Sequence, residues 1–291
     1  MKRLAGAAAT AVAMLTAGCA TTPGGGAPPA PYVVQDPALR EVLASPNRPA
    51  SSVARDEQRH PAQTLAFWGL RPGLTVIEVQ PGAEAWYPEI LAPYAARTGG
   101  RYVVGHADLA NPRLSENARR TRAEFETRFS DRAKWGRVET VGFGPQSPPL
   151  GAPGSADLVI NAGAAHGWLR VGMIDKAMTD FYAVLKPGGV LGLEQPRAPE
   201  GQSDLKWMSE TGYVSEAYVI EAALKAGFRL AARSEINANP RDRKDHPFGV
   251  WTLPPVRRTS PFGQPDDPKF DRAKFDAIGE PDRMTLKFVK P

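Results

Sequence analysis

The residues with chemical potential in this chain stand where apolar runs end. Val76-Ile77-Glu78-Val79 leads into Gln80-Pro81-Gly82-Ala83-Glu84, and residues 156–160 lead into Asn161-Ala162-Gly163-Ala164-Ala165-His166-Gly167-Trp168. Between them, residues 101–105 lead into His106-Ala107-Asp108. Carboxylates, imidazoles and a glycine-bearing turn at strand ends are groups that can hold a polar ligand or move a proton. His106 and Asp108 could also pair on a metal, but two ligands without a third are a weak metal site. Cys19 is the only cysteine, which excludes an internal disulfide and a cysteine-based metal site. G-x-S-x-G, H-E-x-x-H and P-loop patterns are all missing, so hydrolase and metalloprotease chemistry has no support.

The elements that must position these groups follow from periodicity. Apolar runs predict strands over 75–79, 101–105, 138–141, 156–160, 190–194, 228–236 and 284–289. A short helix is expected over 61–68, ended by Gly69 and Pro72-Gly73. Tyr87, Ile90, Leu91, Tyr94 and Ala95 recur at helical spacing over 86–98, where Pro93 should kink the helix. Ser115 can cap a helix to about residue 129, and Ser215 one that ends at Gly227. Ile174, Ala177, Met178, Phe181 and Leu185 line one face of a helix over 173–185. Lys186-Pro187-Gly188-Gly189 closes it and returns the chain to the sheet. Residues 237–281, rich in Pro, Asp and Arg, read as an excursion over the surface. Strands alternating with helices define a doubly wound, Rossmann-like α/β fold with one domain over 51–291.

The first residues read as an export signal. Lys2 and Arg3 precede an apolar run over 4–17, then Gly18 and Cys19, a run too short for a spanning helix. Leu15-Thr16-Ala17-Gly18-Cys19 resembles a bacterial lipobox, with Thr16 in place of the usual Leu. Cys19 would then be the acylated first residue of the mature protein, anchored on the periplasmic face of a membrane, the outer membrane favoured by Ala20. An ordinary secretory signal with an incidental cysteine is the alternative. Residues 20–50 are expected to form a Pro/Gly/Ala-rich tether. Formal net charge is +5, or +3 after subtracting Lys2 and Arg3, too little to point to nucleic acid. Arg119, Arg120 and Arg122 read as a solvated helix face.

The turn after Val79 together with Leu185-Lys186-Pro187-Gly188-Gly189-Val190 resembles the class I S-adenosylmethionine-dependent methyltransferases. Within them, the chain is similar to a branch of signal-bearing predicted methyltransferases of unknown substrate. Tyr213-Val214-Ser215-Glu216-Ala217-Tyr218, Asp245-His246-Pro247, Gly249-Val250-Trp251-Thr252-Leu253-Pro254-Pro255 and Asp282-Arg283-Met284-Thr285 carry that likeness. It implies a seven-stranded sheet whose last strand is antiparallel beside the sixth. It also implies S-adenosyl-L-methionine as cofactor, held by Glu78, Gly82, Asp108 and Asn161, with Asp108 on the ribose. His166 would be the general base, and Tyr87, Trp168 and Tyr213 would line the pocket of a small or envelope-associated acceptor. Gln80 and Glu84 stand where the family has glycines. A Cβ there restricts close approach, and Glu84 brings a negative charge beside the cofactor carboxylate. An exported, inactive protein of this fold that binds another ligand or a protein partner is the competing expectation.

Overall fold

The computed structural model describes residues 33–291; Cys19 and the expected signal lie outside the described residues. Helices α1 (Pro37–Leu43), α2 (Ala50–Val53), α3 (Asp56–Arg59) and α4 (Pro61–Trp68) precede strand β1 (Thr75–Val79). The chain continues through α5 (Pro88–Thr98), β2 (Arg101–Ala107), α6 (Glu116–Arg128), α7 (Arg132–Trp135), β3 (Val138–Phe143) and β4 (Ala156–Ala162). Then come α8 (Ala165–Arg170), α9 (Ile174–Val184), β5 (Leu185–Pro196), α10 (Leu205–Thr211), α11 (Glu216–Lys225) and β6 (Arg229–Ser234). A 3-10 turn (Gly249–Thr252), α12 (Ala273–Ile278) and β7 (Arg283–Val289) complete the unit.

The seven strands form one sheet in the order β3-β2-β1-β4-β5-β7-β6. β1 to β5 pair in parallel, whereas β7 runs antiparallel between β5 and β6. The order reverses between β1 and β4, so their carboxyl ends flank the crevice where such sheets take ligands. Strand alternation sorts the core into two layers. Ile77, Val79, Val103, Leu191 and Leu193 face the layer holding Phe143, Trp168 and Phe181. Val76, Tyr102 and Val104 face the layer holding Trp68, Trp86 and Tyr87. Gly192 lets α4 lie against β5, because a Cβ there would meet the Trp68 ring at 2.5 Å. The Trp68 indole then donates to the Leu286 carbonyl across that contact at 3.0 Å.

Ser115 and Ser215 cap their helices as expected, accepting from Ala118 and Tyr218 backbone N–H groups. Other expectations need correction. The compact unit starts at Val34, not at 51. Asp36 caps α1, Leu39 and Val42 are buried, and the Tyr94 hydroxyl donates to Asp36, so part of the expected tether belongs to the core. Seven helical residues with two buried apolar side chains are too short a pattern to register as periodic. β5 starts at Leu185, because the Lys-Pro-Gly-Gly turn is held by the Gly188 N–H to Lys290 carbonyl bond. The helix expected over 86–98 is present as α5, with Pro93 inside it. The 237–281 excursion is not merely superficial: Asn237, Asp242 and Thr252 are buried.

Candidate functional site

Three loops meet along the carboxyl edge of the sheet. In the first, Gln80 donates its N–H to the Gly105 carbonyl at 2.8 Å and has φ 51°, while Gly82 has φ 75°. Gln80 therefore occupies the left-handed backbone that favours glycine, at a cost of roughly 1 kcal/mol. Its carboxamide oxygen accepts from Trp168 Nε1 at 2.7 Å. A Cβ at Gly82 would meet nothing within 4 Å, so the turn is open on that side. Glu84 has an exposed side chain, and its carbonyl accepts from Arg128.

Glu78 is placed differently from the expectation. It sits on the Tyr102 face of β1, 1% exposed, and bonds the Tyr102 hydroxyl at 2.5 Å. Burial pushes its carboxyl up to about 8, against the pull of Tyr102 and Arg59. The shift favours a protonated Glu78 at neutral pH, with its side chain held in the core by Tyr102.

At the end of β2, Asp108 is nearly buried and its Oδ1 accepts from the Ala110 N–H at 3.1 Å. Gly142 of β3 makes room for this carboxylate, since a Cβ there would lie 2.8 Å from Oδ1. His106 packs on Phe125 with ring centroids 5.3 Å apart, and its Nδ1 accepts from the Ala107 N–H. Burial, aided by Arg122, lowers its pKa. Among the described residues, no cluster of His, Cys, Asp and Glu could hold a metal ion.

Asn161, one residue before the end of β4, donates to the Val79 carbonyl at 3.4 Å, and its Oδ1 is buried without a partner. His166 lies in the first turn of α8, and its Nδ1 is likewise buried without a partner of good geometry. Burial pushes the imidazole down to about 4, with Arg170 adding to the effect and the Gly163 backbone opposing it. The ring meets Trp251 edge-on at 5.4 Å. A buried polar atom without a good partner is an available contact for a polar ligand.

His166 opens onto a pocket of about 140 Å³ walled by Gly163, Glu194, Trp251, Arg59 and Arg283. Beneath it lies a charged cluster. Glu194 Oε1 accepts from Arg59 Nη2 at 2.9 Å and from Arg283 Nη1 at 2.8 Å, while Oε2 accepts from the Tyr87 hydroxyl at 2.9 Å. Burial alone would raise the Glu194 pKa, but Arg59 and Arg283 hold it below the usual carboxylate range. Glu280 completes the cluster, accepting from Arg283 and from Arg55.

Of the residues expected to form the site, His166 lines the pocket, whereas Asn161 stands near the end of β4 and Gly82 in the turn after β1. Three others serve different ends. Trp168 is a core residue between Phe143 and Phe181, not a pocket wall. Tyr87 supports Glu194 from below. Tyr213 is fully buried and bonds both Asp242 oxygens at 3.0 Å, fastening the 237–281 excursion to the sheet. Arg59, Glu194 and the pocket role of Trp251 were missed. Glu194, a charged end to an apolar strand, was the available signal; Arg59 gave none, because its partner lies 135 residues away.

The strand order, with β7 antiparallel, is that of the class I methyltransferase fold. The 4+2 cyclase SpnF superposes with a TM-score of 0.51 at 17% identity, covering 88% of this chain and 92% of that one. A geranyl diphosphate C-methyltransferase from Streptomyces coelicolor A3(2), solved with Mg2+, geranyl diphosphate and S-adenosyl-L-homocysteine, gives 0.51 at 14% identity, covering 87% and 88%. At these identities the likeness establishes the fold, which a cyclase and a methyltransferase share. No protein-family model matches the sequence. No curated protein matches it either.

Proposed function

We propose that this chain is an S-adenosylmethionine-dependent methyltransferase for a small or envelope-associated acceptor, exported and held at the periplasmic face of a membrane by a lipid on Cys19. One observation carries the reading: Gln80 and Gly82 both keep the left-handed backbone, so the turn after β1 follows a glycine-type path although its sequence has changed. The open side of Gly82 leaves backbone within reach of a ligand. Gly82, Asp108 through Oδ2, and Asn161 through its unpartnered Oδ1 would hold the cofactor. When bound, S-adenosylmethionine supplies a methyl group already activated on sulfur. His166, neutral above about pH 4, accepts the proton of the acceptor's nucleophilic atom. Buried aromatic side chains exclude water from the neighbourhood.

The Gln80–Trp168 bond favours a second reading, an inactive envelope protein of this fold that binds another ligand or a partner, because it ties a side chain across the turn. Calorimetric titration of the mature protein with S-adenosylhomocysteine separates the two. A micromolar Kd, worth roughly −8 kcal/mol, is expected. No heat and no thermal shift at millimolar ligand overturns the methyltransferase reading. For the anchor, palmitate labelling that survives Cys19→Ser would refute lipidation at that residue.

A further inference from the structure

The pocket beside His166 holds more positive charge than its own carboxylates neutralise. Among the described residues, Arg55, Arg59 and Arg283 form ion pairs with Glu194 and Glu280 alone, and of these five Arg59, Arg283 and Glu194 line the pocket. Arg59 lies over the Trp86 and Tyr87 rings at 4.3 and 5.1 Å, and of the two arginines on the pocket wall it makes the fewer side-chain hydrogen bonds. It is 7% exposed, lines the pocket, and makes a single side-chain hydrogen bond, Nη2 to Glu194. Its Nε is buried without a partner, although a guanidinium carries five donors. The Arg283 Nε is unpartnered as well, while its two terminal nitrogens are taken by Glu194 and Glu280. A buried cation with donors to spare, on a wall where two guanidiniums share one carboxylate, suits an anionic ligand.

The opposite wall differs in character. Val250, Trp251, Pro254 and Pro255 present apolar surface, and the Arg258 guanidinium lies 5.1 Å over the Trp251 ring. A ligand filling this space carries its charge at one end and a flat or apolar body at the other. About 140 Å³ limits it to a small molecule.

We infer that the pocket takes a small carboxylate, its charged end on Arg59 and its apolar body against Trp251. This rests on the methyltransferase reading for the ligand's role as acceptor, with its nucleophilic atom toward His166; the anion site itself does not depend on it. Arg59 is then a binding residue, and Glu194 and Tyr87 position it.

Benzoate and benzamide serve as probes, titrated into the mature protein at constant ionic strength without cofactor. They share shape and differ in charge. Benzoate is expected to bind at least tenfold more tightly than benzamide and to shift the Trp251 indole N–H signal, assigned through Trp251→Phe. Arg59→Lys should weaken benzoate at least tenfold, because an ammonium lacks the planar fork. Arg101→Gln, which removes an exposed pair with Glu139 on the far edge of the sheet, should leave it unchanged. Equal binding of the two probes, an unmoved Trp251 signal or no benzoate binding overturns the proposal, and these readings need no Arg59 variant to fold. Strict competition between S-adenosylhomocysteine and benzoate would assign Arg59 to the cofactor's own carboxylate and overturn the acceptor assignment. Benzoate binding without S-adenosylhomocysteine binding would sink the methyltransferase reading alone; the reverse pattern would sink this inference alone.

Discussion

Trp168 lies in α8 and Gln80 in the turn after β1, and their side chains meet: the indole Nε1 donates to the Gln80 carboxamide oxygen at 2.7 Å. The bond joins the turn after β1 to the helix after β4, across the crevice between them. It also holds Gln80 in a left-handed conformation that glutamine adopts at a cost. Trp168→Phe keeps most of the ring packing and removes the donor. The expected loss is about 1–2 kcal/mol in urea unfolding. An unchanged midpoint would mean that the bond contributes nothing to holding the turn.

Glu84→Gly addresses the charge beside the crevice. The Glu84 side chain is exposed and the Gly82 backbone next to it is open. Like charges ~4 Å apart repel by about 1 kcal/mol in water, so the variant should bind S-adenosylhomocysteine roughly fivefold more tightly. The gain should shrink as salt rises. Calorimetry at two ionic strengths checks both statements, and an unchanged Kd would place the cofactor carboxylate away from this turn.

His166→Gln is expected to abolish methyl transfer while S-adenosylhomocysteine affinity stays within about twofold. Retained turnover would remove the imidazole from the reaction. The same residue makes a pH prediction. Its folded pKa is depressed to about 4 from 6.5, so the unfolded chain binds the proton first as pH falls. His166 therefore destabilises the fold progressively from pH 6.5 down to about 4, and His166→Gln should flatten that part of the stability profile.

Glu78 acts with the opposite sign in a different window. Its folded pKa is raised to about 8 from 4.5, so the folded chain holds a proton that the unfolded chain releases. Its contribution is fully present below pH 4.5 and is lost as pH rises through 8. Glu78→Gln, which can still accept from Tyr102, should lose less stability between pH 5 and 9 than the natural chain. Parallel profiles of thermal midpoint against pH would show that Glu78 is ionised in the fold.

Tyr213→Phe separates scaffold from pocket. The hydroxyl bonds only Asp242, and its loss should cost about 2 kcal/mol of stability, as for a hydrogen bond to a charged group. Benzoate binding should be unchanged once the protein is folded. A tenfold weaker Kd would return Tyr213 to the binding site.

Local patterning was enough to place the sheet. β1, β4 and β7 are runs of apolar or alternating residues with few rival conformations, and Ser115 and Ser215 announce their helices by the chemistry of the cap. His166 and Gly82 were legible because a strand end in a doubly wound sheet puts the next residues at the crevice. Glu78, Trp168 and Tyr213 were legible as residue types and not as positions, because a strand or loop sequence does not say which partner buries a polar end. Only the tertiary structure decided that Tyr102 takes Glu78, that Gln80 takes Trp168 and that Asp242 takes Tyr213. The pocket itself is entirely a product of folding. Arg59, Glu194, Trp251 and Arg283 come from four distant segments, and a buried charge reveals its role only through the opposite charge that the fold brings beside it.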